Sequence, residues 1–209
     1  MATDAIGQYL ATAKKATLQT TAGAQVLAAA VHQRWQVKTG ADPAAAQLVG
    51  QSPTATTIAH LVALPVPAVL PPEARSAGTE ETVWQLEATL TGYKQEADGD
   101  YHLVLADSNG NTMIGEIPNP ADLSPGSFFT QQITAARQAF DNRFGALTAA
   151  PVAAGFAPAL THATESVTVT GLGFFDFAHG QDGVAPNAIE LHPVTSIEFH
   201  GPAQAPAGA

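Results

Sequence analysis

Between Thr82 and Phe199 the hydrophobic period switches from 2 to 3.6 and back to 2, and this succession constrains the fold more than any other feature. Val83, Gln85, Glu87, Thr89 and Thr91 alternate with Trp84, Leu86, Ala88 and Leu90, which predicts a long strand with one buried face. Tyr101, Leu103 and Leu105 alternate with His102, Val104 and Ala106 in a second strand. Asp107-Ser108-Asn109-Gly110-Asn111 is a turn, because Asn-Gly tolerates the positive φ angles of tight hairpins. Thr112 to Ile117 is the return strand, ended by Pro118 and Pro120, neither of which can donate to a ladder. Phe129, Ile133, Ala136, Phe140 and Phe144 then form one apolar helical stripe within Phe128 to Phe144. Glu165 to Phe175 and Glu190 to Phe199 read as the fourth and fifth strands.

Three meandering strands, one helix and two further strands follow the order of an OB barrel. Closure would also remove the edges that Val- and Thr-rich strands otherwise expose. The expected fold is therefore mainly β: a five-stranded OB-type barrel over 82–200, with one helix between its third and fourth strands and an N-terminal helical extension. That extension is a helical segment over 1–36, where Leu27, Val31 and Trp35 recur at i, i+4 and i+8. Residues 37–81 read as a Pro-rich connector packed on the barrel, extended where Pro65, Pro67, Pro71 and Pro72 fix the backbone. Residues 201–209 read as a disordered tail.

Charge limits the partners. The formal net charge is −10, with only eight Lys plus Arg, and Lys14-Lys15 is the one adjacent basic pair. Such a chain gains nothing from the phosphate neutralisation that dominates nucleic-acid affinity, so no nucleic-acid partner is expected. Cys is absent, which excludes a thiol nucleophile or a thiolate metal site. No apolar run approaches the roughly 18 residues of a membrane span. Met1 to Lys15 lacks a basic stretch followed by an apolar one, so no signal peptide is predicted.

The densest polar information lies between Phe174 and Val194. Glu190 and His192 are two apart on a strand, so both side chains leave the same face. His179 and Gln181 sit on a Gly-flanked loop able to fold over that face, and Asp176, Asp182 and Asn187 add oxygen ligands or acceptors. His102 and Glu116 are further candidates beside strand ends. Three roles compete for these residues. His179, Glu190 and His192 suit a divalent metal, since neutral imidazole and carboxylate are common ligands, with His102 or Glu116 as catalytic base of a metal-assisted hydrolase acting on an ester or phosphodiester. Alternatively His179, Gln181, Asn187, Glu190 and His192 bind a small polar ligand or a protein partner, in a pocket on which His102 and Glu116 also converge. Or they tie down a Gly-rich loop by hydrogen bonds. A second acidic set, Glu96, Asp98, Asp100 and Asp107, offers hard oxygens for calcium, although Asp98-Gly99-Asp100 is also an ordinary hairpin turn. There is no G-x-S-x-G elbow, and Gly171-Leu172-Gly173 lacks the third Gly of a dinucleotide site.

Trp35 to Asp42, Asp100 to Val104, Thr112 to Pro118, Gly171 to Asp176 and Glu190-Leu191-His192-Pro193-Val194 together resemble a widespread family of small bacterial proteins. Its members are mostly exported and carry an E-[IL]-H-P-V signature on the final strand. The similarity spans roughly Trp35 to Phe199. The resemblance implies the barrel, the final-strand site and export, and it brings no reaction with it.

Overall fold

The computed structural model describes residues 34–147, 159–177 and 180–201. Most of the helix expected over 1–36 lies outside these residues, as does the tail expected over 201–209 apart from Gly201. Six strands are described: β1 (Thr54–Thr56), β2 (Val83–Gln95), β3 (Tyr101–Ala106), β4 (Thr112–Ile117), β5 (Thr161–Phe175) and β6 (Ile189–Phe199). Three helices accompany them: α1 (Trp35–Lys38), α2 (Ile58–Val62) and α3 (Thr130–Phe144).

Hydrogen bonds close a ring through five strands in the order β2-β3-β4-β6-β5 and back to β2. β5 runs antiparallel to β2 from Val83↔Leu172 to Tyr93↔Thr161. On the opposite edge β2 is shared, because β3 takes its second half and β1 pairs in parallel with Trp84 to Leu86. That short sixth strand is an addition to the five expected from the sequence; its three residues are too few for a period to be read. An irregularity between Leu90 and Gly92 shifts the register of β2 against both β3 and β5. The β3–β4 hairpin turns at Asn109-Gly110, where Gly110 takes φ 85° and Asp107 accepts from the backbone N–H groups of Asn109 and Asn111.

The side chains pointing into the ring form the core, among them Leu86, Leu90, Leu103, Leu105, Met113, Val169, Leu191 and Val194. Helix α3 packs on it through Ile133, Ala136 and Phe140, with Phe129 just before its first turn. Phe140 stacks with Tyr93, Tyr101 and Phe144 at centroid distances of 4.9–5.2 Å. Ala45, Leu48, Ile58 and Leu61 from the 37–81 segment join the same cluster.

The outward face of the ring is also covered, and this is what positions the site. Every residue of β3 from Tyr101 to Leu105 is buried, on both faces. Val104, Ile114 and Phe174 point away from the ring interior and are buried outside the main core cluster. Two segments cover them. Gly183, in the loop between β5 and β6, sits so close to Val104 that a Cβ there would lie 2.5 Å from Val104 Cγ1. Helix α1 is held from the other side by two buried arginines. Arg34 makes a forked pair with Glu80 (2.7 and 2.8 Å) and donates to the carbonyls of Pro71, Ala74 and Phe175. Arg75 pairs with Asp42 (3.0 Å) and donates to the carbonyl of Val37 (2.7 Å). Burial alone would raise the Glu80 carboxyl, but Arg34 and the backbone N–H groups of Phe175 and Ser76 outweigh it and hold the group below its ordinary range.

Removing one member of such a pair strands the other charge in the interior. Glu80→Ala is expected to destabilise the fold by about 3–5 kcal/mol, measured by urea denaturation. A loss under about 1 kcal/mol, as for an exposed ion pair, would show that the clamp does not hold α1 in place.

Candidate functional site

The register of the ring gathers polar side chains on its outer face. His102 lies opposite Glu116, Lys94 opposite His102, and Phe174 opposite Glu190, so each pair shares a face. β4 and β6 pair in parallel at Ile114↔Glu190 and Gly115↔Leu191, and continuing that register brings Glu116 beside His192. Asp100 at the β2–β3 turn, Asp176 after β5 and Lys38 at the end of α1 complete the patch. His102, Asp100, Glu190 and His192 are each no more than 3% exposed.

Two histidine–carboxylate pairs organise it. His102 Nδ1 lies 2.8 Å from Glu116 Oε1 and 3.5 Å from Glu96 Oε1, while its Nε2 lies 2.9 Å from the carbonyl oxygen of Asp182. A carbonyl can only accept, so Nε2 carries the hydrogen and fixes the ring. His192 Nδ1 lies 3.2 Å from Glu190 Oε1; its Nε2 is buried without a hydrogen-bond partner, 3.8 Å from Asp100 Oδ2, and its ring packs on Phe174. Glu116 Oε2 is likewise buried without a partner.

The electrostatics are those of too many carboxyls in too little water. Burial raises Glu116 well above the ordinary carboxylate range, with Glu96 adding to it and Lys38 opposing. Burial does the same to Glu190, reinforced by Asp176, and to Asp100, reinforced by Asp98 and Glu116. Burial depresses His192 well below 6.5, with Lys38 and Arg75 pushing the same way, so its imidazole is neutral at pH 7. Lys38 opposes these carboxyls from their midst. Its ammonium lies 3.2 Å from Asp176, and although burial disfavours its charge, Asp176, Glu190 and Glu116 outweigh that and raise it.

Of the residues nominated from the sequence, His102 and Glu116 meet in one pair and Glu190 and His192 in the other, on one face. Asn187 is spent elsewhere: its amide donates to the carbonyls of Leu61 and Leu64 and ties the end of α2 to the loop. Gln181 is half-buried in that loop. His179 lies outside the described residues, so the expected His179–Glu190–His192 ligand set has no described third member. Of the acidic set offered for calcium, Asp107 caps its own turn, Asp98 accepts from the Asp100 N–H, and Glu96 turns towards His102. Among the described residues, the group whose ligand atoms all lie within 4.8 Å of one another is Glu96, His102 and Glu116. Lys38 and Lys94 had no signal in the sequence, since a lone Lys in a helix or strand is read as solvated. No family model matches the sequence, and comparison with curated proteins finds no relative.

The pKa directions set the sign of a pH effect. A carboxyl raised in the folded state contributes stability that is complete below its ordinary range and lost as pH climbs through the raised value; a depressed histidine contributes stability lost as pH falls below 6.5. Glu190→Gln removes one raised carboxyl. Its stability relative to wild type is expected to increase as pH rises from 5 to 8, because the wild type alone has to ionise a buried carboxyl over that range. Thermal melts of both proteins across that range measure this, and a difference independent of pH would show that Glu190 ionises as it does in water.

Proposed function

We propose that this chain is an OB-type module that binds a small, polar, donor-rich ligand on the outer face of its ring. The strand order supports the OB reading, for it runs first-second-third-fifth-fourth-first with a parallel third–fifth pair and the helix between third and fourth strands. OB folds use the face of their second and third strands, flanked by the first–second and fourth–fifth loops. The cluster falls on that face: His102 and Glu116 come from those two strands, Glu96 and Asp100 from the first loop, and Asp182 from the second. The resemblance carried by Glu190-Leu191-His192-Pro193-Val194 supports placing the chain with the exported bacterial family.

The observation that carries the ligand class is the surplus of acceptors. A carboxyl keeps acceptor oxygens whether ionised or protonated, and a neutral imidazole presents one acceptor nitrogen, so a ligand offering N–H or O–H groups complements them. Glu96 and Asp182, with side chains 31% and 57% exposed, form the open side of the cluster. An acidic chain with such a face selects against phosphate and for amines or polyols.

A thermal-shift series with amines, amino alcohols and sugars tests this. At least one class is expected to stabilise the protein, by about 2.7 kcal/mol at a hundredfold excess over Kd. The double variant Glu96→Gln/Asp182→Asn should lose that shift. A series in which no member shifts the wild type would exclude a donor-rich small ligand.

A further inference from the structure

We infer that Glu96, His102 and Glu116 form a site for a divalent transition-metal ion of the zinc or manganese class. This goes beyond the reading above on the same face, since a dication answers the same surplus of acceptor atoms by charge.

His102 supplies the first argument. Its Nε2–H is committed to the Asp182 carbonyl at 2.9 Å, so Nδ1 presents its lone pair to Glu116 Oε1 at 2.8 Å and Glu96 Oε1 at 3.5 Å. With both carboxylates ionised, three acceptor atoms face one another, and the Lys94 ammonium pairs with one of them, Glu96 Oε1, at 3.5 Å. A proton between two of them satisfies only that pair, whereas one dication satisfies all three. Backbone-carbonyl anchoring of the non-ligating ring nitrogen is the usual support of a metal-bound histidine.

Glu116 supplies an independent argument. Its Oε2 is buried without a partner, and Glu116 as a whole is only 7% exposed. A carboxylate whose second oxygen is desolvated and unpaired has an unmet demand for positive charge. Lys94 does not meet it, because its ammonium is paired with Glu96 at 3.5 Å and Asp182 at 3.3 Å.

The spacing fits. Ligand atoms each about 2.0–2.2 Å from one ion lie roughly 3–3.5 Å apart in tetrahedral or octahedral geometry. The three atoms lie within 4.8 Å of one another; the 2.8 Å His102–Glu116 contact has to open slightly, the 3.5 Å His102–Glu96 spacing already fits, and a side-chain rotation of the partly exposed Glu96 sets its distance to Glu116. One imidazole with two carboxylates matches zinc or manganese better than calcium or magnesium, which favour all-oxygen shells. The exposed side of Glu96 leaves room for water to complete the coordination.

The experiment uses the full chain stripped with chelator and dialysed, then titrated with zinc, manganese or calcium chloride and followed by calorimetry and thermal melting. One ion per chain and a raised melting temperature with zinc or manganese are expected. Glu96→Gln, which alters a partly exposed side chain and leaves the core intact, should weaken binding at least tenfold, and Glu116→Gln by more. His162→Ala and His200→Ala, at surface histidines, should leave it unchanged. Lys94→Met should tighten it, by removing a competing positive charge. The inference is overturned if neither zinc nor manganese binds, if calcium binds as tightly as zinc, or if both glutamate variants keep wild-type affinity. Amines or polyols that still shift the metal-free protein in that case would leave the small-ligand reading standing; loss of both responses would remove both.

Discussion

Strand β2 is the element on which the rest of the molecule depends. Its thirteen residues pair along one edge with β5 and along the other with β1 and β3 in turn, so the ring opens if β2 is lost. Closure has two consequences that belong together. It gives every strand of the ring two neighbours, and it creates an inside that ten or so aliphatic side chains fill. An outside must then exist, and in most such rings it is wet. Here β3, β4 and the ends of β5 and β6 are covered on that side as well, which turns an ordinary solvated face into a second, polar interior.

The cover is held by charge more than by apolar area. α1 is only four residues long, too short to be stable by its own hydrogen bonds. It stays because Arg34 and Arg75 fan their donors onto Glu80, Asp42 and the surrounding carbonyls, each guanidinium nearly saturated. The Arg34 guanidinium also lies 4.6 Å over the Phe174 ring, whose neighbour on the same layer is His192. The clamp and the site are therefore contiguous, and Lys38, which α1 delivers to the carboxyls, depends on that clamp for its place.

What the sequence made legible follows from period and range. The strands β3 and β4 and the α3 stripe were readable because each is a local repeat with strong punctuation, Asn109-Gly110 at one end and Pro118 at another. Glu190 and His192 could be put on one face because a strand alternates. A shared pocket with His102 and Glu116 was an expectation without a register behind it, since their meeting depends on the parallel β4–β6 pairing, which no local pattern encodes. Asn187 was misleading for the same reason: a polar residue beside a cluster in sequence turned out to serve α2, reached through 123 and 126 residues of chain. The buried arginines were the least legible, because an isolated Arg in a Pro-rich stretch has no periodic partner.

The remaining question is why a chain would bury such a layer. Glu96, Asp98, Asp100, Glu116, Asp176, Asp182 and Glu190 face two ammonium groups, those of Lys38 and Lys94. Three of those carboxyls are pushed well above their ordinary range by the burial itself, which means that their ionised forms strain the fold at neutral pH. Replacing buried polar groups by well-packed apolar ones of similar volume is often neutral or stabilising, so stability alone does not account for the arrangement. Loop anchoring accounts for the Nε2 contact of His102 and nothing more. It leaves His192 Nε2 and Glu116 Oε2 buried without a hydrogen-bond partner. A buried layer with raised carboxyls and two unpaired polar atoms is the pattern that the proposed binding role accounts for and packing alone does not.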